Sequence, residues 1–305
     1  MGTIKVGVAQ STPVFFDLEA TMEKTRSLVV EQAANDVELL LFPESFFPGY
    51  PRGFNFDTVI GARTTQGRQL WEAYWHNSIE AGDQYCEELA ALSREHGMYL
   101  VVGVTEKDMA STTLYCSMFY FSPESGLCGV HRKLKPTGSE RLIWGEGSGD
   151  GLITLDTPLA RIGGLICWEN LMPLARMSLY QQGLDLYLAP TADARSSWLP
   201  IVQHIAQESR CFVLSANQYF RRSDYPEEPW RKRAQVPEEC CRGGSVIVSP
   251  YGEVLAGPLW DKEGVLIAEV DLAEIVRSRF DFSVNGHYQR PDLFEFKLKT
   301  QHLLK

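Results

Sequence analysis

The sequence predicts an α/β fold, built on one mixed sheet or on two stacked sheets flanked by helices. Two observations carry this. Apolar runs of strand length alternate with helical stretches along the whole chain. Several strand pairs are joined by short turns, which puts antiparallel neighbours beside the parallel ones that βα alternation implies. No clean linker and no short-period repeat divides the 305 residues, so they read as one domain, 1–305, with 283–305 as a polar and aromatic tail of weak periodicity.

Ile4 to Gln10 reads as a buried first strand, and Asp17 and Thr21 lead into a helix through Ala34. Val37 to Phe42 is a second apolar run, broken by Pro43, and the proline- and glycine-rich segment Glu44 to Gly53 can extend neither strand nor helix. Gly61 to Ala81, rich in tryptophan and tyrosine, holds a helix, and Asp83 to His96 is another, stopped at Gly97. Tyr99 to Val104 is a strand. Leu114 to Phe121 and Leu127 to His131 form a hairpin around Pro123-Glu-Ser-Gly126, and its second arm delivers Lys133 before Pro136. The long loop from Thr137 to Gly151 holds Glu140, Arg141, Trp144 and Glu146, and such loops in compact domains are usually functional.

Leu152 to Leu155 and Ala160 to Ile166 read as a strand pair that ends at Cys167. A helix over Pro173–Gln182, a strand over Leu184–Ala189, a helix over Ser197–Arg210 and a strand over Cys211–Ala216 follow. Residues 219–242, charged and proline-rich, read as a long surface loop, with Arg231-Lys-Arg233 a solvated basic cluster. Gly244 to Ser249, a turn at Pro250-Tyr-Gly252, and Val265 to Val270 finish the sheet.

Composition narrows the function. The chain is 44% hydrophobic and 22% charged, ordinary for a globular protein. A net charge of −10 argues against a nucleic-acid partner. No apolar run approaches membrane-spanning length, and no signal peptide precedes the first strand. Seven cysteines, an odd count without a CxxC pair, suggest neither a disulfide framework nor a zinc module, and point to a reducing, cytoplasmic setting.

Three reactive residue types stand just past strand ends: a carboxylate, Glu44; an ammonium, Lys133; and a thiol, Cys167. Open α/β sheets place reactive groups at such ends. A thiol with a pKa of about 8.5 is mostly protonated at neutral pH, so a neighbouring carboxylate can take its proton as general base. A neighbouring ammonium can stabilise negative charge developing on a substrate. The competing reading of Cys167 is inert packing, and that of a Glu–Lys pair is a modest salt bridge. Cysteine nucleophiles more often work with histidine, and of the six histidines His131 and His204 are the plausible partners for a Cys–His dyad; near-terminal His302 is one of the remaining four. No phosphate loop, HExxH or paired-carboxylate spacing is present.

Phe42-Pro-Glu-Ser-Phe-Phe-Pro-Gly-Tyr-Pro-Arg-Gly53, His131-Arg-Lys-Leu-Lys-Pro-Thr-Gly-Ser-Glu-Arg-Leu-Ile-Trp-Gly-Glu-Gly147 and Leu165-Ile-Cys-Trp-Glu-Asn170 closely resemble the three signature blocks of the nitrilase superfamily, in the right order. The similarity runs from the first strand to about Pro291. Cys-Trp-Glu resembles true nitrilases, whereas aliphatic amidases and carbamoylases usually carry a tyrosine or arginine and an aspartate there. Thr191-Ala-Asp-Ala-Arg195 and Gly286-His-Tyr-Gln-Arg-Pro291 are similar to plant and bacterial aryl/aliphatic nitrilases.

The resemblance implies an αββα sandwich, with catalytic residues at Glu44, Lys133 and Cys167 and a second structural or catalytic glutamate at Glu140. Lys135 lies close by, but the family's His-Arg-Lys pattern selects Lys133. It implies hydrolysis of a small-molecule nitrile to a carboxylic acid and ammonia, no cofactor and no metal, and a homodimer or larger homo-oligomer. An amidase or N-carbamoyl hydrolase on the same scaffold is the alternative, and a non-catalytic binding protein that kept the fold is a third. Trp168, Tyr50 and Ala192, beside the strand ends, are candidates to line the substrate pocket.

Overall fold

The computed structural model describes residues 2–300, so His302 and the end of the 283–305 tail lie outside the described residues. In chain order the elements are β1 (Thr3–Gln10), α1 (Leu18–Ala33), β2 (Leu39–Leu41), α2 (Thr65–His76), α3 (Gln84–His96), β3 (Tyr99–Asp108), β4 (Thr113–Ser122), β5 (Gly126–Arg132), β6 (Leu155–Asp156), β7 (Arg161–Gly164), α4 (Pro173–Gln182), β8 (Leu186–Leu188), α5 (Trp198–Ser209), β9 (Phe212–Ser215), β10 (Tyr219–Arg221), β11 (Glu239–Val248), β12 (Val254–Trp260), β13 (Gly264–Asp271) and α6 (Ala273–Ser278). The capping signals act where the sequence puts them. The Asp17 carboxylate accepts from the Ala20 N–H, Asp83 accepts from Tyr85 and Cys86, and Gly97 ends α3 at φ +60°.

The strands form two sheets. One runs β13-β1-β2-β3-β4-β5; the other runs β10-β11-β9-β8-β7-β6, with β12 paired to β11. Within the first, β1, β2 and β3 are parallel, while β4 runs against β3 and β5 against β4. Hence β5 points the same way as β2, and residues that follow β2 and β5 emerge at one edge. In the second sheet β7, β8 and β9 are parallel.

Side-chain alternation sorts each strand between two layers. Val6, Val8, Leu39, Leu41, Val101 and Met118 of the first sheet meet Ile162, Leu186, Leu188, Phe212, Leu214 and Ile247 of the second in one buried cluster. The opposite faces pack on helices: Leu40, Leu100, Val102 and Phe119 against Met22, Val29 and Leu89 of α1 and α3, and Tyr187, Val213 and Val246 against Leu179, Val202 and Ile205 of α4 and α5. The layers are therefore helix, sheet, sheet, helix. Each fully buried side chain of this size contributes about 1.5–3 kcal/mol.

Three expectations change. The segment 219–242 is not a surface loop. It contains β10 and the start of β11, and Phe220, Tyr225 and Trp230 are buried. Phe15 packs on Tyr225 at 4.4 Å between ring centroids, and Phe16 stacks on Trp230 at 3.8 Å. Nor is the basic cluster merely solvated: Arg233 bonds both oxygens of Asp57, and Arg231 donates to the carbonyls of Ser223 and Tyr225. The strand pair near Cys167 is shorter than expected, ending at Gly164. Leu165 still pairs with Leu188, but Cys167 begins a 3-10 turn over Cys167–Leu171. The sequence reading also missed β12 and α6.

Candidate active site

Glu44 follows β2, after Phe42 has made its last ladder bond to Val101. The turn it sits in presses onto β3, where a Cβ at Gly103 would lie 2.0 Å from the Pro43 carbonyl, so only glycine fits there. Lys133 follows β5 and is still tied to β4 through its N–H to the Cys116 carbonyl. Cys167 follows β7, its N–H bonded to Pro190. Its φ of +52° lies in the left-handed region, uncommon for a residue with a Cβ. Asn170 holds that conformation: its side-chain amide donates to the carbonyls of Cys167 (2.8 Å) and Leu165 (2.9 Å), while its own oxygen accepts from the Tyr187 hydroxyl. A strained backbone persists only where its surroundings over-determine it, and such positions cluster at functional sites.

The fold brings these residues together. Lys133 Nζ donates to Glu44 Oε1 at 2.6 Å and to Glu140 Oε2 at 2.8 Å. Glu140 is fixed in turn by the Thr137 N–H (2.7 Å) and by the Tyr50 hydroxyl (2.6 Å). Glu44 Oε1 also accepts from the Cys116 thiol at 3.5 Å, while Glu44 Oε2, buried, has no formed hydrogen bond, and the neighbouring Cys167 thiol acts to lower the carboxylate's pKa. Thr191 Oγ1 donates to Cys167 Sγ at 3.1 Å. Tyr50, Glu140, Cys167, Trp168 and Ala192 all line one cavity of about 330 Å³, which Arg52, Asp193, Arg195 and Cys240 share.

Burial governs the charges. It raises the Glu44 pKa, against the lowering effect of Lys133. On Lys133, burial works toward the neutral form, but Glu44, Cys167, Cys116 and Glu140 together outweigh it, so the ammonium stays protonated well above its ordinary range. Burial also pushes the Cys167 thiol up, with the Glu44 charge adding to it. The resting nucleophile candidate is therefore a thiol, and a proton acceptor beside it is needed at the moment of attack.

Neither histidine makes a dyad with Cys167. His204 lies on an exposed face of α5, 3.8 Å from Glu208. His131 Nδ1 faces the Gly151 carbonyl and Nε2 faces Glu169 Oε2, both at 2.9 Å. Two acceptors for two ring nitrogens call for the doubly protonated imidazolium. Burial opposes that form, but Glu169 and the Gly151 carbonyl outweigh it and raise the pKa.

Glu169 is a residue whose role sequence reasoning missed. Its carboxylate accepts from Ile166 N–H (2.8 Å), Leu134 N–H (2.6 Å) and His131. Ile166 precedes Cys167 and Leu134 follows Lys133, so this buried carboxylate clamps the thiol turn to the lysine strand end. The available signal was its place in the Cys-Trp-Glu block.

Comparison with known proteins identifies the family and the fold. The family model described as carbon-nitrogen hydrolase matches residues 5–280. The chain is 48% identical to an aliphatic nitrilase of Sinorhizobium fredii (strain HH103), over 97% of this chain and 95% of that one. It is 44% identical to a bifunctional nitrilase/nitrile hydratase of Lupinus angustifolius, over 97% and 86%. A carbon-nitrogen hydrolase from Helicobacter pylori G27 shares the fold at a TM-score of 0.74 and 22% identity, covering 96% of this chain and 97% of that one.

Proposed function

This chain belongs to the carbon-nitrogen hydrolase family and is a nitrilase, and from that premise we propose that Cys167 is its nucleophile, Glu44 its proton carrier, Lys133 its stabilising cation and Glu140 the group that orients Lys133. The observation that supports these roles is a buried ammonium held between two carboxylates, one of which, Glu140, lines the same cavity as the Cys167 thiol.

Glu44 takes the Cys167 proton as sulfur attacks the nitrile carbon. The protonated Glu44 returns that proton to the nitrile nitrogen, leaving a thioimidate. Lys133, and the Trp168 N–H at the turn, donate to the nitrogen as negative charge builds on it. Glu44 next takes a proton from water as its oxygen adds to the thioimidate carbon, and hands it to the nitrogen. The new hydroxyl's proton follows the same route as the C–N bond breaks, so the nitrogen leaves as ammonia, the acyl-thioester remains and Glu44 is again a carboxylate. A second water, activated in the same way, releases the carboxylic acid and restores the thiol. Two easier additions replace one hard one. Burial of Glu44 suits this work, because a carboxylate raised toward neutrality accepts and returns a proton more readily.

The substrate chain lies against Trp168, Tyr50 and Ala192. Among the described residues no helix is long and apolar enough to cross a membrane, and all seven cysteines are free thiols, which supports a reducing cytoplasmic setting. Association with a second copy of the chain, as a homodimer or larger assembly, completes the proposal; light scattering tests it.

The test of the roles is a panel of aryl, arylacetic and aliphatic nitriles with ammonia, acid and amide all measured. Cys167→Ala abolishes turnover while far-UV circular dichroism stays unchanged. Robust turnover by that variant contradicts the nucleophile, and faster turnover of the matching amides points to an amidase.

A further inference from the structure

One cation in the cavity has no use in this chemistry. Arg52 lies in the turn after β2 and shares the cavity lining with Cys167, Tyr50 and Ala192. One guanidinium nitrogen donates to the Ala192 carbonyl, next in sequence to the Thr191 whose hydroxyl touches Cys167 Sγ. Its Nε is buried with no hydrogen-bond partner. Its plane sits over the Tyr50 ring, 5.4 Å from the centroid, and Tyr50 spends its hydroxyl on Glu140. The tyrosine thus stands between the guanidinium and the Lys133 cluster.

No ion pair joins Arg52 to a carboxylate among the described residues. The groups that act most strongly on its charge are the thiols of Cys241 and Cys167 and the phenols of Tyr50 and Tyr225. Burial holds each of those neutral, by raising its pKa. The contrast with the neighbouring cations is direct: Arg195, at the cavity mouth, is matched by Asp193, and Lys133, behind the lining residue Glu140, by two glutamates. A half-buried cation whose Nε is shut away from water and which has no counter-ion is costly unless something supplies the negative charge.

We infer that Arg52 is a carboxylate-binding subsite, and that the substrate class is short-chain nitriles carrying a carboxylate at the far end from the cyano group. This rests on the nitrilase reading for the reacting end and adds a determinant for the other. The planar fork of a guanidinium suits a carboxylate, which is ionised at neutral pH. The link through Ala192 to the thiol's own hydrogen-bond partner keeps the span between cation and sulfur short, which favours acids with few methylenes between the two functional groups.

The test compares 3-cyanopropanoate with its uncharged near-isostere 4-methylpentanenitrile, on the full chain and on Arg52→Met and Arg52→Lys. The wild type favours the acid in kcat/KM. In Arg52→Met the acid-to-neutral ratio falls about 10- to 100-fold, the change expected when a charged hydrogen-bond partner is lost. The loss falls mainly on KM for the acid, and Arg52→Lys, which keeps the charge without the fork, is intermediate. A ratio that moves less than threefold in Arg52→Met, or a wild type that favours the neutral nitrile, overturns the subsite. A second readout is independent of nitrile turnover: the rates at which iodoacetate and iodoacetamide alkylate Cys167, followed by peptide mass. An iodoacetate preference that disappears in Arg52→Met supports the subsite even if neither nitrile reacts, in which case the nitrilase reading fails and this one stands. An alkylation ratio indifferent to Arg52 counts against it.

Discussion

Two ion pairs stand at different depths by the cavity: Arg195 and Asp193 line it, while Lys133 and Glu44 lie behind its lining residue Glu140. At the floor, Lys133 meets Glu44 at 2.6 Å with both side chains 0% exposed. At the rim, Arg195 bonds Asp193 at 2.8 Å, but the arginine side chain is 60% exposed and lies over the Trp168 ring. Water screens the exposed Arg195, and Asp193, though only 5% exposed, keeps the Trp168 indole N–H and the Arg195 backbone N–H as donors when the guanidinium is removed. At the floor nothing replaces a missing partner, so Glu44, Lys133 and Glu140 stand or fall together. The electrostatics that are indispensable sit where solvent is excluded, and the visible charges at the mouth are the replaceable ones.

The sharpest way to break this comparison is Lys133→Met. It leaves two carboxylates facing each other in a buried pocket, so we expect a loss of about 3–5 kcal/mol in urea unfolding, typical of one buried partner removed, together with loss of nitrile turnover. A variant as stable as wild type would mean that the floor is better hydrated than its burial indicates.

Glu169→Gln comes next. An amide offers one acceptor oxygen where the carboxylate bonds three N–H donors, so the Cys167 turn and the Lys133 strand end lose their common anchor. A misplacement of about 1 Å is enough to cost about 100-fold, and we expect kcat to fall by that order with KM little changed. Equal losses in Glu169→Gln and in a variant that merely destabilises the fold would reduce Glu169 to a packing role.

His131 gives a smaller effect with a defined sign. Its pKa is raised in the folded chain, because Glu169 outweighs burial. A raised group contributes its stability fully below the unfolded value of about 6.5 and loses it as pH rises through the folded value. The melting temperature of wild type, measured against His131→Gln, should show its largest advantage near pH 6 and a shrinking one toward alkaline pH. An advantage that grows with pH would mean a neutral His131. The smallest effect belongs to the rim: Arg195→Ala should change stability by about 0–1 kcal/mol.

What the sequence made legible follows the same division. The turns that carry Glu44 and Lys133 are written in prolines and glycines after apolar runs, and Cys167 follows such a run with Pro173 not far beyond, so their positions past strand ends could be read directly. The two-sheet layering was open from periodicity alone, because a buried strand looks alike in one mixed sheet or in two. The Glu169–His131 pair spans 38 positions and exists only through tertiary contact, which no local pattern encodes. Residues 219–242 misled for the opposite reason: charges and prolines dominate their composition, while Phe220, Tyr225 and Trp230 fall at no strand or helix period yet enter the core beside Phe15 and Phe16. Arg52 was quoted as part of a motif, but that it lacks a counter-ion is visible only once every nearby carboxylate has been located.

The central claim is that Cys167 bonds to the substrate with Glu44 and Lys133 acting on the same intermediate. Rapid acid quenching of the enzyme during turnover of a good nitrile, followed by intact and peptide mass spectrometry, reads it most directly. The account predicts a thioimidate or acyl adduct of the substrate's mass on the peptide containing Cys167, and its slower formation in Glu44→Gln, which lacks the base that takes the thiol's proton. Sustained turnover with no adduct on Cys167, or an adduct on another of the seven cysteines, would contradict it.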